Sequence, residues 1–301
     1  MRRLLTLVAA TAALLITASP ALACGGLIGP NGAVNLLRTT TFAGYHDGVE
    51  HYVTSFEFAG GEGEFGSIVP LPGVPTDVVR GGDWTLQRLV QETTPVERGI
   101  FQNVGDNLAA ASGAEVILET KIDALDITIL RGGGDAVGRW ALDHGFFLTP
   151  DAPEVLDHYS HRSKVFMAAR FDATRARELG QVSGDGTPIM LTIPIDEPWV
   201  PLHILSLGLG RNDIVDADVF LLTDQRPTLH ADSDDYDLVR SESASEDLLR
   251  DLRSDKGMKW VPDDMWLTYL QIDASARDLD GDLAVSRSSL VPWAQLVGLE
   301  R

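Results

Sequence analysis

The clearest pattern along the chain is a polar–apolar alternation interrupted by one turn. Residues 36–46 and 49–58 are rich in Thr, Tyr, Phe and Val, and they flank Asp47-Gly48. Asp-Gly suits a two-residue type I′ turn, whose central positions both need positive φ, so the spacing predicts an antiparallel hairpin. With His46 and Val49 as the turn's ends, Phe42 opposes Val53, Leu37 opposes Phe58, and Arg38 opposes Glu57. The last is the opposite-charge pair that correct register should produce. Leu37, Tyr45, Tyr52, Phe56 and Phe58 then share one face, which is expected to meet the core.

Further along, the period changes repeatedly. Ile68-Val69 predicts a short strand running into Pro70, Pro72 and Pro75, whose spacing argues against a central strand or a helix. Asp83 is placed to cap a helix over residues 84–91, with Trp84, Leu86, Leu89 and Val90 roughly on one side. Residues 114–119 and 125–130 read as a strand pair. Gly132 to Gly134 form a joint before a helix opened by Asp135 and closed by Gly145. A second short helix is expected over 152–160, and strands over 163–171, 189–195, 202–207, 215–222 and 265–272. Residues 230–237 read as an acidic loop, and Ser245 opens a helix toward Arg253 with Glu246 and Asp247 in its first turn. No repeat of solenoid length occurs, and strands and helices mix without regular βα alternation. The expected fold class is α+β, a mainly antiparallel β-sheet with several short helices.

Composition narrows this further. With 44% hydrophobic residues and a mean hydropathy of +0.02, the 301-residue chain can bury a sizeable core, so disorder and collagen are poor readings. Lys and Arg number 24 against 44 Asp and Glu, a net charge of −20. A polyanion repels the phosphate backbone, so nucleic acid is not an expected partner.

The N-terminus carries an address. Arg2 and Arg3 precede an apolar run from Leu4 to Ile16, Ser19-Pro20 breaks any helix, and Ala21-Leu22-Ala23 puts small residues where a signal peptidase reads them. This predicts a secretory signal over residues 1–23, cleaved between Ala23 and Cys24, and a single exported α+β domain over 24–301. The run is too short to span a bilayer, which needs about 20 apolar residues. Cys24 is the only cysteine, so no intrachain disulfide can form. Its position leaves two fates open: simple cleavage, or a diacylglyceryl lipid on Cys24. Ala21 and Leu22 stand where the lipoprotein pattern prefers Leu and a small residue. Membrane contact is expected only through that lipid.

Several blocks in order carry a family resemblance: residues 21–26 (Ala-Leu-Ala-Cys-Gly-Gly), 66–75 (Gly-Ser-Ile-Val-Pro-Leu-Pro-Gly-Val-Pro), 140–146, 150–159, 164–171, 188–192 and 266–269. Over roughly residues 21–290 the chain resembles the bacterial family called domain of unknown function 2330. The resemblance implies an exported bacterial protein without an established activity, and it supplies no catalytic residues. Members often carry a second cysteine soon after the Cys-Gly-Gly block, which this chain lacks.

Candidate chemistry is thin. Asp278, Asp280 and Asp282 reproduce the alternating carboxylates that open a calcium loop, but Leu283 stands where the loop needs Gly and Ser289 where it needs Glu. They are candidate Ca²⁺ ligands set against a plain solvated turn, and no other cofactor is expected. Asp232, Asp234, Asp235 and Asp237 form a second acidic cluster with the same alternatives. His158 with His161, and His46 with His51, are close enough in sequence to share a metal, yet neither pair has a third ligand at recognisable spacing. No Gly-x-Ser-x-Gly elbow or His-Glu-x-x-His occurs, and the glycines at 132–134 and 208–210 lack the companions of a phosphate or dinucleotide loop. The six tryptophans, Trp199 among them, could line a ligand groove, but large aromatics are first of all core material. Three functional classes remain: a non-catalytic envelope protein binding an envelope component or a small ligand, an extracytoplasmic hydrolase using carboxylates such as Glu62, Glu64 and Asp143, and a calcium-stabilised module.

Overall fold

In the computed structural model Asp47 and Gly48 have φ of 51° and 79°, both positive as a type I′ turn requires. The strands beside them pair in the expected register, Phe42 opposite Val53 and His46 opposite Val49. The structure describes residues 38–57, 65–82, 84–93, 114–181, 186–196, 199–227 and 236–285, with the short pieces 21–22, 26–29, 32–33 and 290–291. Leu37, Phe58 and Asp83 lie outside these residues.

In chain order the elements are β1 (Ala21–Leu22), β2 (Gly26–Gly29), β3 (Gly32–Ala33), β4 (Arg38–His46), β5 (Val49–Glu57), β6 (Phe65–Leu71), β7 (Asp77–Arg80) and α1 (Thr85–Thr93). Then come β8 (Glu115–Ile122), β9 (Leu125–Arg131), α2 (Gly134–Asp143), α3 (Ala152–Arg162), β10 (Val165–Phe171), α4 (Ala173–Glu178), β11 (Gly186–Pro194) and β12 (Trp199–Val200). A 3₁₀ turn (His203–Ser206) leads to β13 (Ile214–Thr223), β14 (Asp237–Ser243), α5 (Glu246–Ser254), β15 (Trp266–Ser275), β16 (Leu283–Val285) and β17 (Leu290–Val291).

The large sheet runs β14-β15-β13-β4-β5-β11-β7, with β1 beside the start of β4. Its β13–β4 and β1–β4 pairs are parallel and the rest antiparallel. The second sheet, β3-β2-β6-β10-β9-β8, is antiparallel throughout. A small ladder joins β12, β16 and β17. The α+β, mainly antiparallel expectation holds.

The layers stack as helix, sheet, sheet, helix. Between the sheets, Tyr52, Leu191, Val219 and Leu270 of the large sheet meet Val69, Ile127, Ile129 and Met167 of the second. The outer face of the large sheet, with Phe42, Val53, Met190 and Phe220, is covered by Leu89 of α1 and Leu248, Leu249 and Leu252 of α5. The outer face of the second, with Ile68, Leu130 and Phe166, is covered by Val137 and Trp140 of α2 and Val155, Leu156 and Tyr159 of α3. Both faces of the hairpin are therefore buried, where one was expected: Tyr45 and Tyr52 face the second sheet, and Phe42 and Val53 face the helices. Strands buried on both sides read as continuous apolar runs, as at Val219-Phe220-Leu221-Leu222 and Val165 to Ala169.

Two local expectations change, and a distant carboxylate joins the start of α1. The second sheet's β6 continues through Pro70 to Leu71 as an interior strand; β2 pairs only with residues 66–68, so Pro70 faces Phe166 on one side alone, where proline is tolerated. Residues 203–206 form a 3₁₀ turn instead of a strand, because Ile204 and Leu207, three apart, pack under the α2–α3 layer while Leu205 enters the inter-sheet core. The N-terminus of α1 is capped from afar: the Asp255 carboxylate accepts from the amides of Trp84 (3.4 Å) and Thr85 (2.9 Å) and from the Thr85 hydroxyl (2.6 Å). Ser245 caps α5 as expected, accepting from the Leu248 amide. Strands β7 and β14 and helix α4 had no expectation.

Candidate functional site

The richest convergence of polar and aromatic side chains lies where α3, the 3₁₀ turn, β12 and the chain entering β16 meet. Helix α3 brings His158, Tyr159 and Arg162; pairing of Val200 with Leu283 brings Asp282 to the turn that follows β12. Asp282 is completely buried. Its Oδ1 accepts from the Tyr159 hydroxyl (2.7 Å) and from the amides of Leu202 (2.8 Å) and His203 (3.3 Å), while Arg162 lies 3.5 Å from Oδ2. The Tyr159 hydroxyl also accepts from the Ile204 amide at 2.9 Å. Burial, reinforced by the neighbouring Asp282 charge, holds this phenol well above its usual pKa, so it stays a protonated donor.

Aromatic rings wall this node. Tyr159 stacks on Trp199 at 5.7 Å, and the Arg162 guanidinium sits 5.0 Å over the Trp199 ring. His203 places Nδ1 2.7 Å from the Leu279 carbonyl. A carbonyl only accepts, so Nδ1 carries a proton, and in the neutral ring the lone pair is then on Nε2. The His158 ring lies 4.9 Å from that of His203, at 55°.

On the inner side, Glu50 of β5 is 1% exposed and neither carboxyl oxygen makes a hydrogen bond. Burial raises its pKa well above the ordinary 4.5, offset only in part by the nearby Trp199 backbone amide. Next to it in sequence but on the other face, His51 stacks on Trp260 at 4.0 Å. Burial, with some repulsion from His46, lowers it to about 4.

A separate cluster ties the sheets together. Arg175, 3% exposed, donates to the Asp123 carbonyl (3.0 Å) and to Asp126 (2.9 Å), and Arg80 of β7 reaches Asp123 at 2.8 Å. Lys121 and Arg170 also approach Asp126, at 3.4 and 3.3 Å. Opposite charges alternate through this cluster, which makes it an electrostatic staple.

The calcium expectation for Asp278, Asp280 and Asp282 is not matched by the placement of these residues. Asp278 and Asp280 are exposed while Asp282 points into the interior, because the chain turns inward to enter β16. Asp278 is held by the Ser275 hydroxyl and Arg277, which keep its carboxyl below its usual value. Among the described residues no three His, Cys, Asp or Glu side chains are grouped to hold a metal ion. Ala23, Cys24, Glu62, Glu64, Asp232, Asp234 and Asp235 lie outside the described residues. Asp143 and Asp237 are exposed at the end of α2 and the start of β14. His46 is engaged by Asp224 at 2.6 Å, and His161 is exposed, its Nδ1 2.8 Å from the Asp157 carbonyl. Spacing could not reveal Tyr159, His203 and Glu50, since the groups around them lie tens of residues away in sequence; of the node's rings, His158 and Trp199 stood out.

A family described as "uncharacterized protein conserved in bacteria" (DUF2330) matches residues 18–246. The chain belongs to this family. The match in this DUF2330 protein takes in Glu50, α3, Trp199 and the 3₁₀ turn, but stops before Asp282 and most of α5. No curated protein matches. Among solved structures the DUF2330 chain is similar to a chain of the caspase-8/P35 complex (8% identity, TM-score 0.41, covering 82% of this chain and 94% of that one). It is also similar to a mutated baculovirus P35 after caspase cleavage (8%, 0.40, 82% and 98%) and to baculovirus P35 (10%, 0.39, 84% and 89%). Among the described residues no helix is long and apolar enough to cross a membrane.

Proposed function

We propose that this DUF2330 protein is an exported bacterial envelope or secreted protein whose domain, residues 24–301, binds or scaffolds rather than catalyses. The observation that carries the reading is how the most elaborate polar node is used. Asp282, the Tyr159 hydroxyl and the Nδ1 of His203 are all engaged by one another or by backbone groups, and Asp282 is sealed from solvent. A general acid or nucleophile needs a reacting atom within reach of substrate. The strongly perturbed carboxyl, Glu50, is equally sealed. Export is supported by Arg2-Arg3, the apolar run and Ala21-Leu22-Ala23.

Mass spectrometry of the native protein tests the first half: the expected chain begins at Cys24, whereas Met1 still attached in a cytosolic fraction defeats it. Cys24→Ser separates the two fates of the cysteine, leaving a merely cleaved protein unchanged and blocking processing of a lipidated one. Pull-down with envelope extract and cell-wall polymer tests the second half. Retention on neither, together with hydrolysis of an envelope substrate, would reverse it.

A further inference from the structure

We propose that His158 and His203 form a two-imidazole site for a divalent transition-metal ion such as Zn²⁺ or Ni²⁺, with solvent completing the coordination. The two rings come from different elements, α3 and the 3₁₀ turn, and their centres lie 4.9 Å apart. Two imidazoles bound to one tetrahedral Zn²⁺ at Zn–N distances of about 2.0–2.1 Å hold their ring centres roughly 5 Å apart. The ring-centre separation of 4.9 Å is thus of the size such a pair requires.

His203 is also prepared electronically. Its Nδ1–H donates to the Leu279 carbonyl at 2.7 Å, which in the neutral ring selects the tautomer whose lone pair is on Nε2. A ring N–H held by a backbone carbonyl is the outer-shell contact that metal-binding histidines recurrently make. The turn itself is pinned by the Leu202 and His203 amides on Asp282. The charges beneath the rings oppose one another: Arg162 lies 3.5 Å from Asp282, so the node presents little net repulsion to a cation. Both rings are half-buried and so partly open to solvent. His161, one turn along α3, is exposed with its Nδ1 at the Asp157 carbonyl, and it serves as the discriminating control. No third protein ligand is grouped with the pair among the described residues, so the site is expected to be open and exchangeable.

The test uses the untagged, chelator-stripped full chain titrated with Zn²⁺ or Ni²⁺ alone, read by calorimetry and by Tm. One saturable equivalent is expected, with a Tm that rises with the logarithm of metal concentration. His203→Asn, which keeps an N–H for the Leu279 carbonyl, and His158→Asn should each weaken binding by roughly tenfold or more. His161→Asn and His46→Asn should bind as the parent does. Metal-free melts of each variant establish that it is folded, and His158→Asn, on the helix surface, serves should His203→Asn not fold. Absence of saturable binding up to millimolar metal, unchanged affinity in both folded variants, or equal loss in His161→Asn overturns the assignment.

Discussion

Asp282 accepts three hydrogen bonds and an Arg162 contact in a place where no water can substitute. Asp282→Ala leaves the Tyr159 hydroxyl without its acceptor, two buried amides unsatisfied and a half-buried guanidinium without its counter-charge. It should cost about 3 kcal/mol in urea denaturation, whereas Asp278→Ala, at an exposed position, should leave the urea midpoint essentially unchanged. Glu50 and His51 are neighbours with opposite pH signatures. The Glu50 pKa is raised in the fold, so the folded state keeps a proton that the unfolded chain releases above 4.5, and stability falls as pH rises through that range. His51 is lowered from 6.5 to about 4, so the unfolded chain binds the extra proton and stability is lost as pH falls from 6.5 toward 4. Glu50→Gln should therefore remove the decline on the alkaline side and expose a rising slope between about pH 4 and 6.5, readable in Tm across that range. Neither shift was visible in the sequence, where Glu50-His51 is an ordinary polar pair inside an alternating strand.

At the scale of elements, local signals worked where the partner was close in the chain. The Asp47-Gly48 turn, the β8–β9 pair, the Ser245 cap and the glycine-bounded α2 all depend on neighbours within a few residues, and all four form. Expectations failed where a distant partner decided. Pro70 is accommodated because β2 ends early, and residues 203–206 curl because two separate cores claim alternate sides. One close approach sets the α2–α3 layer: a Cβ on Gly134 would stand 2.6 Å from the Asp157 amide nitrogen, a backbone atom that cannot swing aside. Gly134→Ala should push α2 off α3 and cost about 1–3 kcal/mol, measured by denaturant melts.

For the whole molecule, the family match ends at residue 246, yet β15 lies beyond it, inside the large sheet between β13 and β14. A chain truncated after residue 246 loses β15, α5 and the Asp282 anchor together, and it should show no cooperative melting transition by calorimetry; a sharp transition would mean that the domain closes without them. The β1–β4 pair involves Ala21 and Leu22, inside the predicted signal, so cleavage after Ala23 removes that short ladder while leaving the β4–β13 and β4–β5 pairs of the large sheet. Short-range chemistry was already written in the order of residues: the acidic balance, the type I′ hairpin, the mixed α+β class and the family resemblance need only neighbouring side chains. The four-layer stack, the burial of both strand faces, the raised pKa of Glu50 and the Tyr159–Asp282–His203 node were decided by the tertiary structure. Each depends on groups far apart in the chain meeting where water is excluded, and no local period encodes which distant segment will cover a given face.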